Sequence, residues 1–374
     1  MGTAAVLLLT LATSLQAGKG TAAADPAQID EAIRKGVAYL KMQSSPASEH
    51  SRNSHELILL ALAHAGIPET DPVFEKLFQE VLSAELARTY NVALQAVLLE
   101  ELDRVKYQKR IFECAQFLVD NQCKNGQWLY GEPIALPTLP TGRKIKPVSP
   151  GTKKKSADAR PKPPVVLELP VRKMREGPPT GCNSNSQYAA LGLRACAEAG
   201  ILLPAETIAL ARKSWLDSQN ADGGWTYGGK GSAVSYGAMT AGGVASLAIY
   251  EHLLRKDWRK EPAVQSGMAW LGDHFTVTSH GPSPWGGYLA RHYYLYALER
   301  AGLLAGTETF GTHAWYAEGA KALLASQTSE GSWNVGDWDG KQPVWDTCFA
   351  ILYLRRATRP LTDVASMDRV LRKE

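Results

Sequence analysis

Apolar side chains recur at intervals of three and four residues in many stretches of the chain, and these stretches come in pairs. Such spacing places the apolar positions on one face of a helix, so each stretch predicts an amphipathic α-helix. The pattern is clearest at 187–200, 239–254 and 347–358, and weaker pairs occupy 38–66, 73–102 and 268–302. A helix pair cannot bury both of its apolar faces alone, whereas stacked pairs can. The pattern therefore predicts an all-α repeat protein of six helix pairs.

A short motif, Gln-x-x-x-Gly-x-Trp, ends the first helix of three of these pairs. It runs from Gln122 to Trp128, from Gln219 to Trp225 and from Gln327 to Trp333. A glutamine in this place can hydrogen-bond backbone groups that a helix end leaves open, and the glycine frees the turn so that the tryptophan folds over it. Since the motif recurs in three units, it predicts a structural fastening between helices rather than an active site.

The composition of residues 131–180 differs from that of the helical stretches. This segment holds 11 of the chain's 21 prolines, and its 11 Lys and Arg residues against 4 acidic ones give it a charge of +7. Proline blocks helical hydrogen bonding and like charges repel, so the segment predicts a disordered basic insert in the third unit. A basic arm that contacts an anionic surface is the functional alternative. The rest of the chain carries −3, which argues against a nucleic-acid partner.

The N-terminus predicts export. Residues 4–12 form an apolar stretch that is too short to span a bilayer, and small residues at 16–17 and 22–24 suit cleavage by a signal peptidase. We therefore expect residues 1–24 to be a signal peptide, residues 25–374 to be one domain, and the protein to reach the periplasm or cell envelope. A frayed hydrophobic tail is the structural alternative.

The three Gln-x-x-x-Gly-x-Trp elements resemble the QW motifs of squalene–hopene and oxidosqualene cyclases. The series of helix pairs is also similar to the beta subunits of protein prenyltransferases. Both families are α/α toroids, and the resemblance covers roughly residues 30–358 without the insert. It implies a closed double ring of six inner and six outer helices. The repeated motif would then fasten neighbouring outer helices to each other.

The catalytic signature of the cyclases is missing. Those enzymes protonate an alkene with an Asp-x-Asp-Asp motif, whereas the nearest match here is "GDWDG", which has Asp337 and Asp339 but Gly340 in the last place. Two neighbouring carboxyl groups can share a proton, so this pair is a candidate general acid, and Asp346 is another. The structural alternative for Asp337 and Asp339 is a solvated turn.

The prenyltransferases suggest a zinc site. Their zinc ligands are an Asp-x-Cys at the start of an inner helix and a histidine from another repeat, and this chain has Asp346 and Cys348 in "WDTCFAIL". Alignment of the repeats places His292 opposite Cys348, with His55 as a rival. The structural alternative is that Asp346 caps its helix and Cys348 packs in the core. Zinc is thus a possible cofactor, and no other cofactor is expected.

The starts of the inner helices would face the mouth of the ring. Polar and aromatic side chains cluster at these starts, as is usual for a small-molecule site. The candidate ligand-binding residues are Asn183, Asn185, Gln187, Tyr236, His292 and Tyr293. For the three amides, capping of the helix after the insert is an equal alternative.

The sequence supports two functional interpretations, and a third has less support. The first is an exported toroid that binds a hydrophobic small molecule, a glycan or other polymer, or a protein in its central cavity without cyclase chemistry. The second is a terpenoid-cyclase-like enzyme with an aspartate as general acid. The third is a zinc-dependent prenyltransferase-like protein. The sequence leaves the ligand and the oligomeric state open.

Overall fold

Twelve α-helices alternate between an outer and an inner ring in the part of the chain that the structure describes. The computed structural model describes residues 24–43, 55–148, 162–228, 234–279, 290–334 and 343–361. The outer helices are α1 (Pro26–Gln43), α3 (Pro72–Ser83), α5 (Gln108–Asp120), α7 (Ala205–Asp217), α9 (Pro262–Asp273) and α11 (Trp315–Ser326). The inner helices are α2 (His55–His64), α4 (Thr89–Asp103), α6 (Asn183–Glu198), α8 (Gly237–Leu253), α10 (Arg291–Ala305) and α12 (Pro343–Leu354).

The inner helices form a closed ring. Each packs against the inner helix before it and the one after it, and α12 packs against α2. The sequence explains which helix lies where, because α8 is apolar or small on all sides and is buried throughout, whereas α1 buries only one face. The prediction of an all-α toroid of six helix pairs is confirmed. None of the described helices has both the length and the apolar character that crossing a bilayer requires.

The repeated motif fastens neighbouring outer helices, as predicted. The Gln219 amide nitrogen donates to the carbonyl oxygen of Gly223 at 2.8 Å and to that of Ala263 in α9 at 2.9 Å. The other two glutamines do the same: Gln122 reaches Thr207 in α7, and Gln327 reaches Ala32 in α1. Each side chain therefore holds its own turn and the next outer helix together. The last of these bonds closes the outer ring.

The motif tryptophan fills the space between the two rings. Trp225 donates its indole N–H to the carbonyl oxygen of Trp215 at 2.9 Å, and its backbone N–H donates to the Thr240 hydroxyl in α8 at 3.1 Å. Trp128 and Trp333 repeat both bonds with equivalent partners. The tryptophan thus ties the end of an outer helix to the first turns of the inner helix that follows.

The insert contains regular structure, which corrects the prediction of a disordered segment. Strand β1 (Arg143–Val148) pairs antiparallel with β2 (Val165–Pro170), and β2 pairs in parallel with the short strand β3 (Ile201–Leu202). The sequence of β2, "VVLELP", is an apolar run that its basic surroundings conceal in an averaged composition. Its Leu169 side chain is buried, and Gln108 donates to the Leu167 carbonyl oxygen at 2.7 Å. Residues 149–161, and residues 1–23 of the expected signal peptide at 1–24, lie outside the described residues.

The segment after α12 crosses the C-terminal end of the inner ring. Thr358 donates its backbone N–H and its hydroxyl to Glu299 of α10 at 2.9 and 2.7 Å. The next residue, Arg359, donates two hydrogen bonds to Glu101 of α4, on the opposite side of the ring. Arg194 of α6 donates to the carbonyl oxygen of Pro360 at 3.2 Å. Residues 358–360 therefore span this end of the ring from one side to the other.

We expect the stability of the fold to fall as the pH rises from about 5 to 8. Burial raises the pKa of Glu299 from its ordinary value of 4.5 to about 7, and it does the same for Glu56. A carboxyl group with a raised pKa in the folded state contributes stability that is complete below the unfolded value and is lost as the pH rises through about 7. Burial lowers the pKa of His252 to about 4, so this one group opposes the fall between about pH 5 and its unfolded value of 6.5, where the two carboxyl groups outweigh it.

Thermal denaturation of the wild type and of Glu299→Gln at several pH values tests this expectation. The variant cannot ionise and should show a smaller fall in melting temperature between about pH 5 and 8. Glu308→Gln, which alters an exposed carboxylate beside Arg356, is the matched control and should keep the wild-type slope. Equal slopes for all three proteins would contradict the role given to Glu299.

Candidate ligand-binding site

The N-terminal turns of the six inner helices lie at one end of the ring, which we call the mouth. The opposite end carries residues 358–360 described above. Most of the longer connections of the chain lead into the inner helices at the mouth, whereas the connections at the other end are short. The insert also leads into an inner helix, but its strand β2 lies at the other end, where it pairs with β3 after α6. All of the residues predicted to bind a ligand belong to the mouth.

Two of the predicted amides serve the fold. Asn183 donates to the carbonyl oxygen of Thr226 at 2.8 Å, and its own amide oxygen accepts a bond from Gln127 at 2.8 Å. Asn185 donates to the Cys182 sulfur at 3.3 Å. Both side chains are buried. Asn183 thus joins two motif turns at the mouth. Neither amide caps α6, which was the alternative role considered for them, since no side chain bonds the first N–H groups of that helix.

Gln187 reaches instead toward a polar chain inside the ring. Its amide nitrogen donates to the Tyr293 hydroxyl at 2.5 Å, and its amide oxygen accepts from Arg300 at 2.7 Å. The Ser184 hydroxyl lies 3.3 Å from that of Tyr293. These bonds join α6 to α10, although α8 lies between them in the ring. They pass in front of α8 at Gly242, where an added Cβ would come within 2.9 Å of the Gln187 side chain.

Aromatic rings surround this polar chain. The ring centroids of Tyr188 and Tyr293 are 6.2 Å apart, and Phe349 of α12 lies 5.8 Å from Tyr293 and 5.6 Å from Tyr296. Tyr293 is partly exposed, whereas Tyr188 and Phe349 are each 7% exposed. Burial raises the pKa of Tyr293 to about 12, so its hydroxyl is a neutral donor at physiological pH. Three inner helices thus contribute rings to one apolar surface with a hydroxyl at its outer edge.

Tyr236 lies beside this surface at the start of α8. Its side chain is 4% exposed, and its backbone N–H donates to the Trp225 carbonyl oxygen at 3.1 Å. Burial raises the pKa of Tyr236, with a smaller contribution from the nearby Tyr293. The prediction that this tyrosine belongs to the mouth fits its position, but its ring is more covered than that of Tyr293.

His292 and Asp346 meet at the mouth. The His292 Nδ1 atom lies 3.0 Å from Asp346 Oδ1, and both side chains are almost fully buried. Neither ring nitrogen of His292 has a hydrogen-bond partner among the described residues, so its contact with Asp346 is electrostatic. The contact joins α10 to α12, whereas the alignment of the repeats placed His292 opposite Cys348, and the rival His55 lies 3.3 Å from Glu80 of α3. A buried imidazole beside a carboxylate is an arrangement that can take part in proton transfer.

The zinc set does not assemble around this pair. Cys348 is fully buried, and burial raises the pKa of its thiol well above the ordinary value. Among the residues that the structure describes, no three His, Cys, Asp or Glu side chains lie close enough together to hold a metal ion. A structural zinc site needs four ligands and a catalytic one needs three. The residues Asp346, Cys348 and His292 therefore do not fit a zinc ion.

Sequence reasoning missed several residues of the site. It did not select Arg300, Tyr188, Tyr296 or Phe349, which all lie beyond the first helical turn. One signal was available, since Arg300 follows the largely apolar run "YLYALE" of a helix that should be buried on all sides. The two candidate acids Asp337 and Asp339 fall outside the described residues.

Comparisons with known proteins extend the description of the fold. No protein-family model matches the chain, and no curated protein matches it either. Among solved structures, a variant of the type II terpene cyclase MstE from Scytonema in complex with geranylgeranyl dihydroxybenzoate superposes with a TM-score of 0.51. The two chains are 12% identical, and the match covers 88% of this chain and 97% of the cyclase.

Two further structures give the same result. The apo form of MstE has a TM-score of 0.50 at 12% identity and covers 88% of this chain and 99% of its own. A possible member of the GH105 family from Salmonella enterica has a TM-score of 0.54 at 10% identity, with coverage of 87% and 93%. Identities this low show the fold alone. The chain is an α/α toroid with a fold like that of a terpene cyclase.

Proposed function

We propose that this protein is an exported α/α toroid that binds an apolar or ring-bearing ligand at the mouth of its inner ring, without standard cyclase chemistry. The observation that carries the proposal is the aromatic surface formed by Tyr188, Tyr293, Tyr296 and Phe349. Aromatic rings provide large contact area, and a few polar groups among them fix the orientation of a ligand. Gln187 and the Tyr293 hydroxyl are such groups.

The opposite end of the ring supports this location. Residues 358–360 and the ion pairs beneath them cover the C-terminal ends of α4, α6 and α10. A ligand would therefore enter from the mouth, where Tyr293 is partly exposed. A polymer or an extended protein segment could contact the same surface with one end, while the basic insert offers a separate contact for an anionic surface.

An enzyme is the second candidate, and the pairing of His292 with Asp346 is the observation in its favour. The His292 Nδ1 atom lies 3.0 Å from Asp346 Oδ1 and both side chains are buried, so either group is a candidate to move a proton. Neither ring nitrogen of His292 has a hydrogen-bond partner among the described residues, which leaves the imidazole available to a substrate. This arrangement suits general acid–base chemistry on a polarised substrate better than it suits cyclisation of a hydrocarbon.

Incubation of the purified protein with squalene and shorter polyprenyl diphosphates, followed by binding and product analysis, separates the two candidates. We expect a binding signal for at least one apolar compound and no new product. Tyr188→Ala should weaken that binding. Tyr250→Phe, which also lies on an inner helix but near the C-terminal end of α8, should not. New product that disappears in Asp346→Asn would favour the enzyme and overturn our proposal.

A further inference from the structure

Arg300 places a positive charge deep inside the ring. Its side chain is 1% exposed and lies in the middle of α10. The guanidinium carbon lies 4.1 Å from the ring centroid of Tyr296 and 5.6 Å from that of Tyr188. Its Nη2 atom donates to the Gln187 amide oxygen at 2.7 Å. The aromatic surface and the polar chain described above therefore meet at this one guanidinium.

Among the described residues, no carboxylate contacts Arg300 directly, although the charge of the buried Glu299 acts on it from a longer distance. No carboxylate oxygen of the described chain lies within 4.0 Å of its nitrogens, and its buried Nη1 atom has no hydrogen-bond partner. Two other arginines differ, since the half-buried Arg212 contacts Glu251 and Glu261, and the buried Arg194 contacts Glu198. A buried charge without a partner is costly, and most proteins avoid it unless the charge has a function.

We infer that Arg300 binds an anionic group of the ligand, and that the ligand is a carboxylate with an apolar or ring-bearing body. The inference rests on the proposed function and adds the charge of the ligand to it. The carboxylate would accept hydrogen bonds from the Nη1 atom, which Gln187 leaves open. The body would lie against Tyr188, Tyr296 and Phe349. A diphosphate needs several donors, whereas the site offers one open nitrogen.

Laurate and dodecan-1-ol test the inference, because they share one hydrocarbon chain and differ in the charged group. Calorimetric titration of the full-length wild type should give tighter binding of laurate. In Arg300→Met the affinity for laurate should fall by roughly 10- to 100-fold, with little change for dodecan-1-ol. Arg212→Met is the matched control and should keep the wild-type preference for laurate.

The outcomes separate the inference from the proposed function. Equal binding of laurate and dodecan-1-ol would overturn the inference but leave the binding function in place. Failure of both compounds to bind would count against the binding function. The thermal stability of the ligand-free variants would then show whether the charge of Arg300 is compensated within the protein. If its charge is uncompensated, Arg300→Met should melt at or above the wild-type temperature, whereas Arg212→Met should melt lower. An equally large fall in both variants would mean that Arg300 has a structural partner, and would overturn the inference.

Discussion

Replacement of Trp225 by alanine should lower the free energy of unfolding by about 3–5 kcal/mol. The side chain is fully buried, its ring lies 6.1 Å from that of Trp215, and two glycines pack directly against it. Alanine would remove this contact area, leave a cavity between the two rings, and leave the Trp215 carbonyl oxygen without the indole donor. Chemical denaturation followed by circular dichroism measures the effect.

Trp225→Phe keeps one aromatic ring at this position. It loses the indole donor and the volume of the five-membered ring, so its cost should be smaller than that of alanine, about 1–3 kcal/mol. Neither variant should alter ligand binding at temperatures where it stays folded, because the Trp225 side chain is buried between the two rings and packs against Trp215, not against the aromatic surface at the mouth. Loss of binding with an unchanged melting temperature would contradict the structural role that we assign to the motif.

Gly331→Ala adds one methyl group at the seam between the last and the first outer helix. We expect it to lower the free energy of unfolding strongly. Gly331 has a φ of 89°, in the left-handed region that disfavours a side chain, and an added Cβ would lie 2.6 Å from the Lys35 carbonyl oxygen in α1. Strain and overpacking together should cost about 2–5 kcal/mol. The backbone of α1 cannot yield to the methyl group without loosening the bond from Gln327 to Ala32.

Gly66→Ala is the matched control for this prediction. Its φ is 86°, almost the same as that of Gly331, but an added Cβ meets nothing within 4 Å. It should therefore show the backbone strain alone, about 1–2 kcal/mol. Similar melting temperatures for the two variants would mean that the close approach of α1 contributes little, and would contradict the importance given to the seam.

The fold could be predicted well because its information is local and repeated. Helical spacing marks each helix. The motif at Gln219 and Trp225 recurs often enough to be recognised without knowledge of the residues that it contacts. Even the contacts of the motif followed from residue chemistry, since a glutamine beside a helix end has few acceptors to choose from. The approach of His292 to the start of α12 could be anticipated from the alignment of two repeats, because equivalent positions of neighbouring units meet in a ring. The alignment placed His292 opposite Cys348, whereas the contact is with Asp346.

The interior of the site was harder to predict, because it depends on which residues reach across the ring. Gln187 and Arg300 are 113 positions apart, and no local pattern links them. Cys348 lies two residues from Asp346, yet it joins no metal-binding group, since successive helical positions point in different directions. The insert was misjudged for another reason: its average composition hid the apolar strand at Val165–Pro170.

The bond from Gln327 to Ala32 has a consequence for how the molecule comes apart. It spans 295 positions of the chain and joins the sixth unit to the first. In a linear array of repeats, the terminal units have one neighbour each, so they fray first and usually need special capping sequences. Here every unit has two neighbours. We therefore expect no sequential peeling from either terminus: opening the seam should cost nearly as much as opening any other joint, and the toroid should unfold as one cooperative unit.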